Sequence, residues 1–528
     1  MRRLRRLKCP PTERRGMILI VVTIVLVMIS LAGFGFVAVM YTENKAAHLN
    51  VDEIHVDNAA ASGTELLKSV LAQNDEGREA MGGLFDNPDL FQGQLLFAEP
   101  GTNAVVRFSV LAPRIEEGQY IGIRYGAENE SAKIDLAALS AWEQAVPDSG
   151  RKALMQLPDM TASVADAILD WLDADSAQRP NGAEQDYYAS LTPPLEPRNG
   201  PVESLEELLL VKGVTREMLF GGDTNQNYLQ EDDESQSVGG GMGFAAQSGR
   251  LPWAAYLTLY SARRNLRPDG TPRIDVNQSD LRALYQELSG QLNDSWVRFI
   301  LAYRQYGPYT GEDAGRADAT LPLDLNAPAK YKIGSLLDLV GARVSVPKSS
   351  GSAEVYQSPF TESPDVLNIH FSKLLDHVTT DKSPVLRGRI DINSAPREVI
   401  AAVPGMPDSA VEQILAGRGL AGGTEDASRR HPTWLLAQNL VSLDTMRQLM
   451  PYVTCGGDVY RAQTVGYFDS GTPAARAEVV IDATGTVPRQ VYYKDLRLLG
   501  RGFDLEILRG EQLEDLPTTS AGDFGNPE

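Results

Sequence analysis

The sequence predicts an α+β protein in which one long N-terminal helix, half of it in a membrane, lies on an antiparallel sheet split by a large, mostly α-helical insertion. Three observations predict it. Residues 17–41 hold no charged side chain over 25 positions, β-rich runs occur between 94 and 125 and again after 452, and the stretch between them shows helix-type periodicity with recurring turn signals. With 528 residues, 43% of them hydrophobic, the chain is long enough for about three packed domains.

The apolar run comes first in the chain. At 1.5 Å of rise per residue it makes a helix about 37 Å long, enough to cross a bilayer. Arg2, Arg3, Arg5, Arg6, Lys8, Arg14 and Arg15 precede it against the single acid Glu13. The positive-inside rule therefore holds the N-terminus in the cytoplasm and places everything after Thr42 outside. A secretory signal would carry a shorter run and an A-x-A-like site, whereas this run ends in Met40-Tyr41-Thr42-Glu43-Asn44. Arg14-Arg15-Gly16 abuts Met17-Ile18-Leu19-Ile20-Val21, which resembles a type IV prepilin or pseudopilin leader cut after the Gly by a prepilin peptidase. An ordinary single-pass anchor carries the same basic and apolar features.

Beyond the membrane the helix continues as an amphipathic one, with Ala46, Leu49, Ile54, Ala61, Leu66, Leu67, Val70 and Leu71 at spacings near three and four. A loop is expected over 77–93. Strands are expected over 94–98, 104–112 and 119–125, separated by Pro100-Gly101-Thr102-Asn103 and Glu116-Glu117-Gly118. A long helix followed by such a meander is the layout of a pilin.

Between 135 and 451 a loose repeat recurs: Ile274-Asp275-Val276-Asn277, Leu323-Asp324-Leu325-Asn326, Ile390-Asp391-Ile392-Asn393 and, more weakly, Ile134-Asp135-Leu136. Each precedes a helix-like stretch, where the Asn or the next Ser is expected to cap the first turn. Residues 390–417 look like a helix-hairpin-helix motif, whose backbone amides bind phosphate in DNA-binding proteins and elsewhere merely pack helices. Strands return over 458–468, 477–483 and 489–498, and are expected to join the sheet begun near 94.

Composition narrows the functions. Seventy Asp and Glu against 49 Lys and Arg leave a net charge of −21, which repels a phosphate backbone. Two cysteines, Cys9 and Cys455, exclude a Cys-based zinc site, and the five histidines show no HExxH spacing. Ser149-Gly150-Arg151-Lys152 matches S-x-x-K without the companion motifs of that chemistry. No catalytic constellation is legible. A membrane-anchored helix-hairpin-helix protein of DNA uptake is the alternative reading, weakened by Glu398, Asp408 and Glu412 around Arg397.

One stretch is more specific. Residues 164–175 (VADAILDWLDAD), then Pro180-Asn181-Gly182-Ala183-Glu184, Tyr187-Tyr188 and Ser204-Leu205-Glu206-Glu207-Leu208-Leu209-Leu210-Val211-Lys212-Gly213-Val214, are similar to the signature region of the type II secretion system minor pseudopilin K family. The resemblance implies a leader at 1–16, an N-terminal helix at 17–76 with 17–41 in the inner membrane, and a pilin-like sheet from 94–134 and 452–512. It implies a helical insertion at 135–451 with helix-hairpin-helix/SAM-like repeats, and the Pro, Thr, Ser, Gly and Asp composition of 513–528 reads as a disordered tail. It further implies a non-enzymatic part of the pseudopilus in the periplasm, assembled with other minor pseudopilins and the inner-membrane platform of the secretion system, with no nucleic acid partner. The Gly-rich stretch 235–249 and an insertion near 346–364 depart from the family.

Two acidic sets qualify as cation sites. Ca²⁺ takes six to eight oxygens, and an EF-hand loop supplies them from positions 1, 3, 5, 7, 9 and 12. Counted from Asp223, these are Asp223, Asn225, Asn227, the Leu229 carbonyl, Glu231 and Glu234, with Tyr228 where the sharp turn asks for Gly. Calcium binding is also a property that the resemblance implies, and the alternative is an acidic, solvated loop. Asp170, Asp173, Asp175, Glu184 and Asp186 form the second set, which capping and solvation explain as well as a metal does. Val21, fifth after Gly16, stands where pilins usually carry a Glu that pairs with the preceding subunit's N-terminal amine. A subunit with nothing ahead of it does better without that charge, which points to the fibre tip. An ordinary anchor helix would also place a Val there.

Overall fold

A 57-residue helix, α1 (Arg15–Leu71), leads the fold. The structure, a computed structural model, describes residues 15–98, 104–116, 118–229, 251–316, 321, 323–348, 353–418 and 427–510, with backbone alone for 15–17 and 427. Most of the expected leader and the expected tail at 513–528 lie outside these residues. Residues 18–50 of α1 are exposed on every side, and an 18-residue window there reaches a mean hydropathy of 2.8 with none of it buried. Apolar side chains left on all faces of a helix mark a lipid-facing span.

From Val56 onward one stripe of α1 is buried, through Val56, Ala59, Ala60, Leu67, Val70 and Leu71. This corrects the expected stripe, since Ala46, Leu49, Ile54 and Ala61 are exposed. Among the described residues the helix meets the sheet from His55, whose ring stacks on Phe97 of the first strand at 5.3 Å, and where its backbone comes closest to the sheet it carries small side chains. At Gly466, on the sheet, a Cβ would sit 2.6 Å from the Ala60 N and 2.8 Å from the Ala59 Cβ, and against the Val56 carbonyl. The loop expected over 77–93 holds two short helices instead, Asp75–Ala80 and Pro88–Phe91, because Asn74 and Asn87 accept from the amides of Gly77 and Leu90 and cap them.

The sheet is built from both ends of the chain. Its strands are β1 (Gln94–Ala98), β2 (Val105–Glu116), β3 (Gln119–Tyr125), β4 (Glu128–Asn129), β5 (Val459–Phe468), β6 (Ala474–Asp482) and β7 (Arg489–Asp495). The order is β1-β2-β5-β6-β7, with β3 on β2 and β4 on β5, and every pair is antiparallel. Early strand β2 pairs directly with late strand β5, Phe468 opposite Val106 and Gln463 opposite Leu111. The chain leaves the sheet at β4 and returns at β5, where Tyr460 and Arg461 pair back on Asn129 and Glu128. Alternation then sorts the faces. Phe108, Val110, Ala462, Val479 and Ile481 pack with α1, whereas Leu111, Val465 and Tyr467 face Phe503 and Leu508 from the segment after β7.

All five tryptophans lie in the core of the intervening region. It contains three parallel two-residue ladders, Ile134–Asp135 with Leu257–Thr258, Ile274–Asp275 with Val378–Thr379, and Ile390–Asp391 with Val453–Thr454. Three of the four copies of the repeat seen in the sequence lie in them, and the copy at Leu323 does not. The capping expectation is corrected: it is the Asp that turns the chain, its Oδ1 accepting the amide two residues on, 2.8 Å from Asn277 and 3.0 Å from Asn393. An antiparallel hairpin, Arg343–Pro347 with Ala353–Gln357, occupies the stretch near 346–364.

Candidate functional site

The segment 223–229 follows the short helix Arg216–Phe220, which ends at Gly221 with φ +69°. Asp223 folds back on its own loop, its two oxygens accepting the amides of Asn227 (3.1 Å) and Tyr228 (2.9 Å). The Oδ1 of Asn227 accepts from the Leu229 amide at 2.8 Å. Tyr228 takes φ +63°, the left-handed turn that an EF-hand gives to Gly at this sixth place. A bulky residue tolerates it because its ring is anchored elsewhere: the Tyr228 hydroxyl donates to Glu478 Oε2 at 3.0 Å and the ring stands 5.7 Å from that of Tyr120. Glu231 and Glu234 lie outside the described residues.

The loop is docked on the face of the sheet opposite α1. Gln463 donates to the Gln226 carbonyl at 2.7 Å, Arg476 to the Asn225 carbonyl, and Asn227 donates its side-chain amide to the Gly502 carbonyl at 2.7 Å. Strand residues 461, 463, 476 and 478 are thus polar because they hold the insertion.

Beside the loop is a buried charge network that sequence reasoning missed. Glu130, with no solvent exposure, accepts from Arg461 at 2.9 and 3.1 Å, from Lys133 at 3.3 Å and from Thr258. Arg461 also donates to Glu478 at 2.5 Å, and Lys133 to Glu128 at 2.6 Å. Burial alone would raise the Glu130 pKa, but Arg461 and Lys133 outweigh it and hold it at about 2. The network faces a cavity of about 80 Å³ lined by Tyr120, Tyr228, Tyr260, Tyr492, Glu206 and Lys494. Its signal in the sequence was charge at strand positions that alternation turns inward.

The second acidic set sits around helix α2 (Ala162–Leu172). Asp170 is fully buried and accepts the Ala183 amide at 2.9 Å, and a Cβ on Gly182 would collide with its carboxylate. Arg179 bridges Asp170 and Asp173, at 3.4 and 3.1 Å. Asp166, not singled out in the sequence, joins them, buried with Arg151 at 3.3 Å. Both carboxylate oxygens of Glu184 and the Oδ1 of Asp173 are buried without a hydrogen-bond partner. Burial, then the nearby acids, raises Glu184, and burial with Asp175 pushes Asp173 up to about 6. Asp175 and Asp186 are exposed. Among the described residues no group of three or more His, Cys, Asp or Glu side chains is arranged to hold a metal ion.

Other motifs resolve simply. Ser149 is buried while the Lys152 side chain is 72% exposed, so the S-x-x-K match makes no nucleophile–base pair. Burial pushes the Cys455 thiol well up, which leaves it unreactive. In the hairpin formed by α3 (Arg397–Ala401) and α4 (Asp408–Gly417), Arg397 pairs with Glu412 at 2.7 Å. Val21 is exposed on the apolar part of α1.

Residues 132–220, from the edge of the Glu130 network to three residues before Asp223, match the family described as type II secretion system (T2SS), protein K. Over that stretch the chain is similar to the protein K family. A type II secretion system protein K from Pectobacterium carotovorum subsp. carotovorum is 26% identical over 211 residues, 39% of this chain. The chain spans 60% of that relative's length. A crystal structure of the GspK-GspI-GspJ complex from the enterotoxigenic Escherichia coli type 2 secretion system covers 86% of this chain and 99% of its own, at 9% identity and a TM-score of 0.32. In this chain the matched stretch contains α2 with Asp166 and Asp170, Glu184, and the Gly213 turn.

Proposed function

We propose that this chain is a minor pseudopilin of a type II secretion system, a structural subunit without catalytic chemistry, anchored in the inner membrane with its N-terminus cytoplasmic and its bulk periplasmic. One observation carries it. The apolar span and the sheet-packed half of α1 are a single unbroken helix, so anchor and folded part move together, as a subunit drawn from a membrane into a fibre must. A prepilin peptidase would cut between Gly16 and Met17, in the first turn of that helix, and other minor pseudopilins and the inner-membrane platform would be its partners. Val21 in fifth place supports a tip position, since no buried carboxylate there awaits the amine of a preceding subunit.

The same reading assigns the remaining motifs. The geometry of 223–229, with Asp223 bridging the fifth and sixth amides and a left-handed sixth residue, supports Ca²⁺ held by Asp223, Asn225, Asn227, Leu229, Glu231 and Glu234. The unpartnered oxygens of Glu184 and Asp173 support a weaker cation site with Asp170. Residues 390–417 act as a helix-hairpin-helix packing unit, supported by the Arg397–Glu412 pair and by Gly405 at φ +81° in the turn. N-terminal sequencing of the membrane-extracted protein tests the whole reading: a chain beginning at Met17 supports it, and one beginning at Met1 or past residue 40 overturns it.

A further inference from the structure

The repeat in the insertion has a feature that the ladders expose. Two copies carry the same preceding residue, Arg273-Ile274-Asp275-Val276-Asn277 and Arg389-Ile390-Asp391-Ile392-Asn393. Each Ile-Asp pair is a two-residue parallel ladder and each Asp turns on the amide two residues on, so the two arginines leave the backbone from equivalent places. A single strand brings them together. Residues Ala262–Arg264 pair with Val385–Arg387, Ser261 Oγ donates to the Arg389 carbonyl at 3.0 Å, and the Arg273 amide donates to the Asn265 carbonyl at 3.3 Å. Arg263, opposite Leu386 in that ladder, adds a third guanidinium, and Arg430 a fourth.

Three acids lie near them, and Asp381 acts on Arg389 without an ion pair to it. Asp376 is engaged by His431 at 2.8 Å and Arg430 at 3.4 Å, and Asp458 by Arg264 at 2.9 Å. Among the described residues Arg273 and Arg389 make no side-chain hydrogen bond or ion pair, and the Arg273 Nε is buried without a partner. Burial, then Arg263, lowers the Arg273 pKa to about 10, with Arg389 and Arg430 acting in the same direction. Arg263 donates to Thr454 Oγ1 at 2.8 Å and Arg430 pairs with Asp376, so Arg273 and Arg389 are the two whose donors are left over, and gathering them beside two further guanidinium groups is costly unless an anion completes them.

We propose that Arg273, Arg389, Arg263 and Arg430 form a binding site for a small tetrahedral oxyanion, phosphate or sulfate. Guanidinium forks match such an ion two oxygens at a time, and a divalent charge offsets the mutual repulsion better than chloride does. Arg430 is half exposed, whereas Arg263, Arg273 and Arg389 are partly buried. The ion would tie the two repeats together through one shared counter-charge.

The test uses the full chain in detergent micelles, in phosphate-free buffer. Equilibrium dialysis with labelled inorganic phosphate should give one equivalent per chain, displaced by sulfate and not by chloride at equal ionic strength. The thermal midpoint should rise with phosphate and saturate. Arg273→Gln with Arg389→Gln should abolish both responses, Arg273→Lys should weaken binding at least tenfold, and Arg489→Gln, at an exposed site elsewhere, should change neither. A general salting effect would grow without saturation and persist in the double variant, which would overturn the proposal. So would an absence of bound phosphate in the wild type, the result expected if a carboxylate of the chain already fills the cluster.

Discussion

Replacing Glu130 by Gln removes the one buried charge shared between Arg461 of the sheet and Lys133 of the insertion. Arg461 keeps Glu478 and Lys133 keeps Glu128, but two cations then lie around an uncharged amide in a site with no solvent. The carboxyl moves from an ordinary 4.5 to about 2 on folding, which corresponds to about 3 kcal/mol, the low end of the cost of breaking a buried ion pair. The sign follows from the depressed value. This contribution is complete above pH 4.5 and is lost as pH falls towards 2, whereas Asp135 and Asp173, both raised to about 6, act oppositely and at higher pH. Urea unfolding of the full chain in micelles, followed by tryptophan fluorescence, reports the insertion directly because all five tryptophans are in its core. E130Q should lose about 3 kcal/mol at pH 7, and the wild-type minus E130Q difference should shrink between pH 4.5 and 2. A loss under about 1 kcal/mol, or a difference that stays constant with pH, would refute the reasoning.

Three further outcomes are expected. Gly466→Ala should cost about 1 to 3 kcal/mol in the same assay, since its methyl meets α1 backbone that cannot move aside, while the same change at solvent-facing Gly83 should cost no more than its left-handed φ demands. Calcium should raise the thermal midpoint relative to chelator, and Asp223→Ala with Asn227→Ala should erase that rise; equal midpoints in the wild type would remove the site. Val21→Glu should leave Gly16–Met17 cleavage intact while lowering the yield of assembled fibres or moving the subunit away from their tips, and fibres indistinguishable from wild type by immunogold labelling would count against the tip assignment.

Much of this architecture was local and therefore legible in the sequence. An uninterrupted apolar run can only be a helix in lipid or a buried core, and alternation with turn residues located β1 and β3 at their observed bounds. The acidic loop at 223 could be named as a candidate for the same reason, because the spacing of its oxygens is a property of consecutive residues. What the sequence could not carry were relations between distant residues. The buried face of α1 was misread because periodicity fixes an angle around the helix and not the residue at which it meets a partner; that residue is set by Gly466, some 400 positions later. The Asn or Ser of each repeat was expected to cap a helix, whereas it is the Asp that turns the chain, by accepting the amide two residues on. Glu130 and Arg461 are 331 residues apart, and Arg273 and Arg389 are brought together by a strand belonging to neither repeat. Local sequence determined which elements form, through periodicity and turn chemistry. Only tertiary packing decided which charges lose their water together, because desolvation depends on everything that closes around a group and not on its neighbours in the chain.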